Sequence, residues 1–297
     1  MDISAWWHEL RAHHWLKNLL LFVPAFAAHQ FTDSNVWQAL VQAFCSFSLC
    51  ASAVYIINNL FDLESDKRHP RKCNRLFASG KAPLWQGAAL AALLLCVSLV
   101  LAADVNGEFM SWLLLYFLLS NAYSWRLKRL ILIDCLLLAF LYTLRVIAGA
   151  AAAKMMLSFW LLAFSVFLFL SLAFVKRYAE LDAQLPDKSP KAYGRAYVLA
   201  DAPLIQIMGI VSGYAATLIL ALYINSDAVV RLYRTPEIIW GNVPVMLFWI
   251  SWMWMQTHRG HMHDDPLIFA LTDKASLLSG LVFASILAIG ANGWPLW

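Results

Sequence analysis

The chain has 297 residues, of which 62% are hydrophobic and only 13% are charged. A soluble globular protein carries about a quarter charged residues, so this composition excludes a soluble enzyme and predicts a membrane protein. The five cysteines form no CxxC pair, which argues against a disulfide framework or a cysteine metal site. The N-terminus lacks the features of a cleaved signal peptide, and we expect it to be retained. We expect no nucleic-acid partner.

Nine continuously apolar runs are candidate membrane spans. Each has about 17–24 residues, a length that lets an α-helix cross a hydrocarbon core of about 30 Å. None shows the alternation of a membrane β-strand. Their approximate limits are 15–30, 36–57, 84–103, 109–125, 131–153, 157–175, 203–224, 237–256 and 271–291. The sequence therefore predicts an all-α polytopic membrane protein, a single domain of residues 1–297 built as one bundle of nine transmembrane helices.

The basic residues orient these spans. Of the 22 Lys and Arg, 18 lie at the N-terminus or in the loops after the even-numbered spans, whereas Lys154, Arg231 and Arg234 lie on the opposite side. Cytoplasmic loops of membrane proteins are enriched in Lys and Arg. We therefore expect a plasma-membrane protein whose N-terminus and large loops face the cytoplasm and whose C-terminus faces outward.

The segment NNLFDLESDKRHP, residues 58–70, places acids directly at the end of the second span. Asn58, Asp62 and Asp66 recur every four residues, so they point the same way on a helix, and Tyr55 extends that face. Basic residues would suffice to anchor the span, because acids contribute little to orientation. Carboxylate and amide oxygens are hard ligands that suit Mg²⁺ together with substrate phosphates. The spacing favours a catalytic magnesium site on these three residues over a solvated helix end.

This segment resembles the NDxxDxxxD motif of the UbiA superfamily, whose nine-helix membrane enzymes transfer groups from diphosphate donors. Other segments resemble its decaprenyl-phosphate phosphoribosyltransferase branch and together cover most of the chain: HHWLKNLLLFVP, RLFASG, YSWRLKRLILIDCLLLAFLYTLRVIAGAAA, SFWLLAFSVFLFLSLAFVKRYAEL, GRAY and MHDDPLIFAL. Asn59 stands where the family usually has Asp. Because position 59 lies off the face of Asn58, Asp62 and Asp66, we expect Asn59 to modify the site without abolishing it.

The resemblance implies transfer of 5-phosphoribose from phosphoribosyl pyrophosphate to a polyprenyl phosphate, with Mg²⁺ as cofactor and diphosphate as leaving group, as a lipid-linked pentose precursor step of cell-envelope synthesis. Family members that prenylate aromatic acceptors carry a second DxxxD motif after the sixth span. The corresponding segment here, VKRYAELDAQLPDKSPKAYGRAY, has no two aspartates four residues apart and is rich in basic residues. An aromatic prenyltransferase remains an alternative. A transporter is a further alternative, although no inverted repeat or pair of broken helices is found.

The two substrates carry several phosphates, each monoester with a charge of about −1.5 to −2. Mg²⁺ can neutralise the diphosphate, but the other phosphates need protein cations. The candidate substrate contacts combine cations, tyrosines and one glutamate: Lys17, Tyr55, Lys72, Arg75, Tyr123, Lys128, Arg145, Lys176, Arg177, Glu180, Arg195 and Tyr197. An acceptor phosphate with a second pKa near 6 is ionised at about pH 7, so the mechanism needs no general base. A homo-oligomer is possible.

Arg145 lies near the middle of a span, where an arginine costs about 2.5–3.5 kcal/mol on translocon scales. Eleven residues of helix would separate it from Asp134 by about 16 Å, so we do not expect these two residues to pair. A polar cavity or an anionic ligand is the better expectation for its partner. Gly149 and the alanines after it predict a close approach by a neighbouring helix.

Overall fold

The fold is all-helical. The computed structural model describes residues 6, 9–30, 33–68, 73, 75–182, 196–262 and 265–292. Contacts divide the chain into two compact units, one of Met1–Lys128 with Leu144–Leu157 and the other of Arg129–Thr143 with Ser158–Trp297. The prediction of a single domain over residues 1–297 stays a prediction.

Eight long helices carry the fold of the described residues. They are α1 Ser34–Phe61, α2 Leu84–Val105, α3 Gly107–Trp125, α4 Ile133–Ala152, α5 Phe159–Asp182, α6 Ala202–Ile224, α7 Asn242–His258 and α8 Lys274–Asn292. Shorter helical segments join them: Ala12–Phe22, Val23–Ala27, Leu63–Arg68, Leu127–Arg129, Leu199–Asp201, Asp227–Leu232, Pro236–Gly241 and Pro266–Ala270. The boundary between the two units falls inside α4.

Seven helical segments of the described chain are long and apolar enough to cross a membrane. They are Ser34–Phe61, Leu84–Val105, Ile133–Ala152, Phe159–Asp182, Leu199–Ile224, Pro236–His258 and Lys274–Asn292. The predicted span 109–125 is present as the 19-residue helix α3, but its polar and aromatic side chains keep it outside this set. The prediction of an all-α polytopic membrane protein is confirmed, whereas the count of nine spans is not.

The predicted first span, 15–30, is not one α-helix. It consists of the 3-10 helix Ala12–Phe22 followed by the five-residue α-helix Val23–Ala27. The 3-10 helix packs tightly, because a Cβ added at Gly149 would lie 2.0 Å from the Leu21 carbonyl oxygen. The predicted close approach at Gly149 is therefore confirmed. Hydropathy had indicated an apolar run but could not distinguish 3-10 from α-helical hydrogen bonding.

Small polar residues join α1 to α2 in the first unit. The hydroxyl of Ser46 donates to the carbonyl of Ser98 at 2.8 Å, and the hydroxyl of Ser98 donates back to the carbonyl of Ser46 at 2.7 Å. Such exchanged bonds hold membrane helices together where water cannot compete. α1 remains helical to Phe61, four residues past the predicted limit of 57, so the acidic segment begins on a packed helix.

In the second unit, Gly209 of α6 contacts Ser171 of α5 and Trp254 of α7. A Cβ at Gly209 would lie 2.1 Å from the Trp254 ring, so only glycine fits beside this indole. Ser171 donates its hydroxyl to the Gly209 carbonyl at 2.7 Å and accepts from the Trp254 indole at 3.1 Å. α5 continues past the predicted limit of 175 to Asp182. Its charged last turns are therefore helical.

Candidate active site

The acidic segment keeps helical spacing across the end of α1. Asp62 follows the last residue of α1 with φ −85° and ψ 5°, and the short helix Leu63–Arg68 begins after it. The Asp62 amide donates to the Asn58 carbonyl at 2.9 Å, and the Asp66 amide donates to the Asp62 carbonyl at 2.8 Å. Asn58, Asp62 and Asp66 therefore follow one another at single-turn intervals, as the predicted magnesium site requires.

Asp62 is paired with a lysine from another part of the first unit. Lys128 Nζ donates to the two carboxylate oxygens of Asp62 at 3.2 and 2.9 Å. Lys128 lies in the 3-10 turn Leu127–Arg129, directly after α3. Both side chains remain partly accessible, with exposed fractions of 27% for Asp62 and 17% for Lys128. In this pair a carboxylate that could bind a metal contacts an ammonium group that could donate hydrogen bonds to a phosphate.

Asp66 is paired with an arginine. Arg75 Nη1 donates to Asp66 Oδ2 at 2.6 Å and to Asn59 Oδ1 at 3.2 Å. The Asp66 side chain is only 4% exposed, whereas Arg75 is 25% exposed. Arg75 therefore orients a nearly buried carboxylate while its own guanidinium remains partly open to a ligand.

Glu9 is a member of this network that sequence analysis missed. Its Oε2 accepts from Asn59 Nδ2 at 2.6 Å, and its Oε1 accepts from the Leu76 backbone amide at 3.2 Å. Glu9 and Asn59 are buried. Glu9 is the only acid between Asp2 and Asp33, but no spacing rule connects an isolated glutamate to a motif 50 residues later.

Arg11 is a second residue that sequence analysis missed, because an arginine before the first span indicates only membrane orientation. Its guanidinium lies over the ring of Tyr55, 5.0 Å from the ring centre. The ring of His14 stacks on the same tyrosine at 5.1 Å. Burial and the nearby charge of Arg75 lower the pKa of Arg11. The two guanidiniums repel one another, so an anion between or beside them would be stabilised.

The donor set suits a hard divalent cation. Two carboxylates and an amide lie on successive turns, and Mg²⁺ uses such oxygen ligands with phosphates completing its coordination. Among the residues that the structure describes, no group of three or more His, Cys, Asp or Glu could hold a metal ion by itself. Asn58, Asp62 and Asp66 therefore fit Mg²⁺ brought with a diphosphate, rather than a metal held by protein ligands alone.

Arg145 is buried in the first unit and contacts polar and aromatic groups. Its Nε donates to Asn18 Oδ1 at 3.0 Å, and its Nη2 donates to the Tyr116 hydroxyl at 3.2 Å. The guanidinium also lies 4.8 Å from the Tyr116 ring centre and 5.3 Å from that of Phe47. These contacts are with a neutral amide, a phenol and aromatic rings, and the predicted polar cavity or anionic ligand at Arg145 stays a prediction. Lys17, beside Asn18, is also buried.

Arg177 belongs to a buried ion-pair network in the second unit. Its Nε lies 2.8 Å from Asp134 Oδ2, and Nη1 pairs with Glu180. The Tyr197 hydroxyl donates to Asp134 Oδ1 at 2.6 Å and accepts from the Leu132 amide at 2.8 Å. Burial and the hydrogen bond to Asp134 raise the pKa of Tyr197, so the phenol keeps its proton. Arg177 is 0% exposed, which favours a structural role over the predicted substrate contact.

Lys176, the neighbour of Arg177, is more accessible. Its Nζ lies 3.3 Å from Asp265 Oδ2, with the lysine side chain 28% exposed and the aspartate 3%. The Tyr142 hydroxyl donates to the same carboxylate at 2.9 Å, and Asp265 also accepts from the Leu267 amide at the start of a short helix. Asp265 lies in the acidic stretch of the resemblance but was not predicted to hold Lys176.

The structure thus groups the predicted residues by unit. In the first unit, Arg75 and Lys128 contact the acidic segment directly, and Tyr55 lies one helical turn before Asn58. Tyr123 lies half-buried on the last turn of α3. The second unit holds Lys176, Arg177, Glu180 and Tyr197. Lys72 and Arg195 lie outside the described residues.

Three proteins of similar sequence are informative. An uncharacterized protein, y4nM of Sinorhizobium fredii, is 34% identical over 95% of this chain, which spans 55% of the length of that protein. Nodulation protein NoeC of Azorhizobium caulinodans is 36% identical over 92% of this chain and 91% of its own length. Decaprenyl-phosphate phosphoribosyltransferase of Mycolicibacterium smegmatis is 35% identical over 58% of this chain and 55% of its own length.

The fold also matches a solved structure and a known family. A UbiA homolog from Archaeoglobus fulgidus bound to GPP and Mg²⁺ superposes with a TM-score of 0.70, at 16% identity, over 94% of this chain and 97% of that one. At this identity the likeness shows the fold alone. The UbiA prenyltransferase family matches residues 18–272, which is most of the chain. This protein belongs to the UbiA prenyltransferase family.

Proposed function

We propose that this enzyme transfers 5-phosphoribose from phosphoribosyl pyrophosphate to a polyprenyl phosphate and releases diphosphate in a Mg²⁺-dependent reaction. The observation that carries the proposal is the pairing of each motif carboxylate with its own cation, Asp62 with Lys128 and Asp66 with Arg75. In such a site, the carboxylates that can bind a metal are in direct contact with the cations that can hydrogen-bond to phosphate oxygens. A donor that brings both a metal and phosphate oxygens can engage all four groups.

The residues of the first unit have separate tasks in this mechanism. Asn58, Asp62 and Asp66 would hold Mg²⁺, which supplies positive charge to stabilise the leaving diphosphate. Lys128 and Arg75 can exchange their carboxylate partners for phosphate oxygens, because charge-assisted bonds to the two kinds of oxyanion are similar in strength. These cations then orient the diphosphate so that the ribose C1–oxygen bond is presented for cleavage.

The reaction itself balances without a protein acid or base. The C1–oxygen bond to the diphosphate breaks with oxocarbenium character, as in other glycosyl transfers, and the bonding electron pair leaves with the diphosphate. An oxygen of the acceptor phosphate forms the new bond to C1. That phosphate is already ionised at about neutral pH, so no proton has to be removed from it. Positioning by cations is therefore the main contribution of the protein.

Three observations support phosphoribose over a prenyl group as the donor moiety. The loop after α5 lacks a second DxxxD motif, so a second metal clamp for a prenyl diphosphate is not evident. In the first unit, Arg11 adds a cation near Arg75 beyond those that pair with the two motif carboxylates. The similarity to decaprenyl-phosphate phosphoribosyltransferase supports the same donor and acceptor. We place this site at the cytoplasmic face of the membrane, because the basic residues around it follow the positive-inside rule.

Ligand protection against heat tests the choice of donor. The purified protein in detergent is heated with Mg²⁺ and phosphoribosyl pyrophosphate, ribose 5-phosphate or geranyl diphosphate. A ligand at 100 times its dissociation constant adds about 2.7 kcal/mol of stability, so binding appears as a rise in Tm. We expect protection by phosphoribosyl pyrophosphate, weaker protection by ribose 5-phosphate and none by geranyl diphosphate.

The same experiment can favour the alternative. Protection by geranyl diphosphate without protection by phosphoribosyl pyrophosphate would indicate an aromatic prenyltransferase instead. The fold shared with the solved UbiA homolog does not distinguish the two donors. The Asp66→Asn variant is the control, because protection that survives this change does not come from the acidic segment.

A further inference from the structure

A chain of four side chains connects the N-terminal segment to Asp66. Glu9 accepts from Asn59 at 2.6 Å, Asn59 accepts from Arg75 at 3.2 Å, and Arg75 donates to Asp66 at 2.6 Å. Glu9, Asn59 and Asp66 are buried, with exposed fractions of 6%, 3% and 3%. Buried networks of this kind fix the orientation of each member, because every alternative arrangement leaves a polar group unsatisfied.

Glu9 is placed to orient its neighbours and not to bind a ligand itself. One of its carboxylate oxygens accepts from the Asn59 amide, and the other accepts from the Leu76 backbone amide. The Leu76 contact fixes Glu9 relative to the segment that carries Arg75. Glu9 therefore fixes the position of Asn59 and of the segment that carries Arg75 through its two hydrogen bonds.

The two partners of Asn59 determine which way its amide faces. The carboxylate of Glu9 can only accept, so it requires the Asn59 nitrogen, and the guanidinium of Arg75 can only donate, so it requires the Asn59 oxygen. An aspartate at position 59 could still accept from Arg75. It would have no donor for Glu9 and would place two carboxylates in contact.

We propose that Glu9 is a positioning residue for the active site, which acts through Asn59 and Arg75 to hold the Asp66 carboxylate in place. This inference rests on the proposed metal and diphosphate site, but not on the identity of the donor. It also explains why position 59 carries an amide in this chain. The expectation from sequence, that Asn59 modifies the site without abolishing it, took no account of the buried acid in contact with position 59.

A double-mutant cycle tests this role. The variants are Glu9→Gln, Asn59→Asp and the combination of both, since a glutamine at position 9 could donate to an aspartate at position 59 and still accept from the Leu76 amide. The measured quantity is the Mg²⁺ concentration that gives half of the thermal protection at a fixed concentration of inorganic pyrophosphate. Glu64→Gln is the matched control, because Glu64 is 79% exposed and pairs only loosely with Lys67 at 4.0 Å.

We expect Asn59→Asp to raise the half-protecting Mg²⁺ concentration about tenfold or more, the effect of losing one charge-assisted hydrogen bond. The double variant should return to within about threefold of the parent, because the exchanged pair restores the contact. Glu9→Gln should have an intermediate effect on the half-protecting Mg²⁺ concentration, because its single amide oxygen can accept from Asn59 or from Leu76 but not from both, and Glu64→Gln should have none.

Additive effects of the two substitutions would overturn the proposal, as would a Glu9→Gln variant that binds Mg²⁺ and pyrophosphate like the parent. If Asn59→Asp fails to accumulate in membranes, Glu9→Gln still decides the question through its Mg²⁺ dependence. Pyrophosphate is the product of phosphoribosyl and prenyl transfer alike. Rescue in the double variant therefore supports the role of Glu9 even if phosphoribosyl pyrophosphate proves not to be the donor. Absence of any protection in the parent would overturn both claims.

Discussion

Asp62 and Asp66 each pair with a cation of the protein in this structure, and each would bind a metal ion in the proposed reaction. Replacement of either by asparagine keeps an oxygen for Lys128 or Arg75 but removes the negative charge that a divalent cation requires. We therefore expect Asp62→Asn and Asp66→Asn to lose more than nine-tenths of transfer activity, with normal expression and membrane insertion. Initial rates at saturating Mg²⁺ measure this, and a variant that kept more than a tenth of the activity would contradict the metal assignment.

Lys176 and Arg177 are adjacent in sequence but differ in burial, so their replacement should have different consequences. Lys176→Ala removes a partly exposed cation, and loss of one charge-assisted bond should weaken phosphoribosyl pyrophosphate binding about tenfold to a hundredfold. Arg177→Ala leaves the buried Asp134 carboxylate uncompensated, which costs about 3–5 kcal/mol. Its main effect should be a lower Tm.

Thermal unfolding and donor titration of both variants separate these effects. If Arg177→Ala has a normal Tm but binds the donor more weakly, the result would support the substrate contact that the sequence predicted for Arg177. Unchanged donor affinity in Lys176→Ala would contradict the predicted substrate contact of this lysine.

At the scale of residues, sequence analysis finds what is local. Asn58, Asp62 and Asp66 are visible because four-residue spacing on a helix is a short-range signal. Glu9 and Arg11 are not visible, because their contacts with Asn59 and Tyr55 join segments more than 40 residues apart. The sequence also does not predict burial, since nothing in the adjacent residues Lys176 and Arg177 indicates that only the arginine is fully buried.

The packing of α4 against the N-terminal 3-10 helix depends on Gly149. A methyl group there would meet the Leu21 backbone oxygen, and overpacking of this kind costs about 1–3 kcal/mol. We expect Gly149→Ala to lower the Tm by several degrees. Gly280 is the matched control, because a Cβ at this position of α8 has no atom within 4 Å. Gly280→Ala should therefore be neutral or stabilising by up to about 1 kcal/mol, and equal effects of the two changes would contradict the packing.

Asp273 caps the start of α8. Its Oδ2 accepts from the Ser276 amide at 2.8 Å and from the Trp252 indole at 2.9 Å. Burial alone would raise the pKa of Asp273, but the hydrogen bonds from Ser276 and Trp252 outweigh burial and lower it. Because the pKa is depressed in the folded state, its contribution to stability is present above the unfolded value of about 3.9 and is lost as pH falls through the folded value.

Asp273→Ala should therefore lower the Tm at pH 7. The expected loss in the free energy of unfolding is that of a helix cap, about 1 kcal/mol. The difference from the parent should shrink as the pH is lowered below about 4. Thermal unfolding in detergent across this range measures it. A difference that grew on acidification would mean that the cap does not act through its carboxylate.

At the scale of elements, hydropathy predicted where the chain enters a membrane but not where its helices end. α1 and α5 both extend beyond their apolar runs, to Phe61 and Asp182, because polar residues at the end of α1 and charged residues at the end of α5 can continue a helix outside the hydrocarbon region. The first predicted span failed in the opposite way. Its apolar residues do not reveal that Ala12–Phe22 adopts 3-10 hydrogen bonding.

At the scale of the whole molecule, the all-α membrane fold and the UbiA family could be predicted from sequence. Hydrophobic runs of spanning length and several ordered motifs are signals that extend along the whole chain. The boundary between the two units falls between Thr143 and Leu144 of α4, and it has no such signal, because no turn or break interrupts the helix there. Function follows from the site, since one fold can serve donors of different chemistry.

Direct measurement of transfer tests the central claim. Purified protein in detergent is incubated with Mg²⁺, polyprenyl phosphate and phosphoribosyl pyrophosphate labelled in the ribose, and the label in the organic phase is compared with the diphosphate released. We predict equal amounts of the two products, no transfer without polyprenyl phosphate, and loss of transfer with EDTA that added Mg²⁺ reverses. Absence of label from the organic phase, with prenyl transfer from geranyl diphosphate to an aromatic acceptor under the same conditions, would contradict the phosphoribosyl assignment.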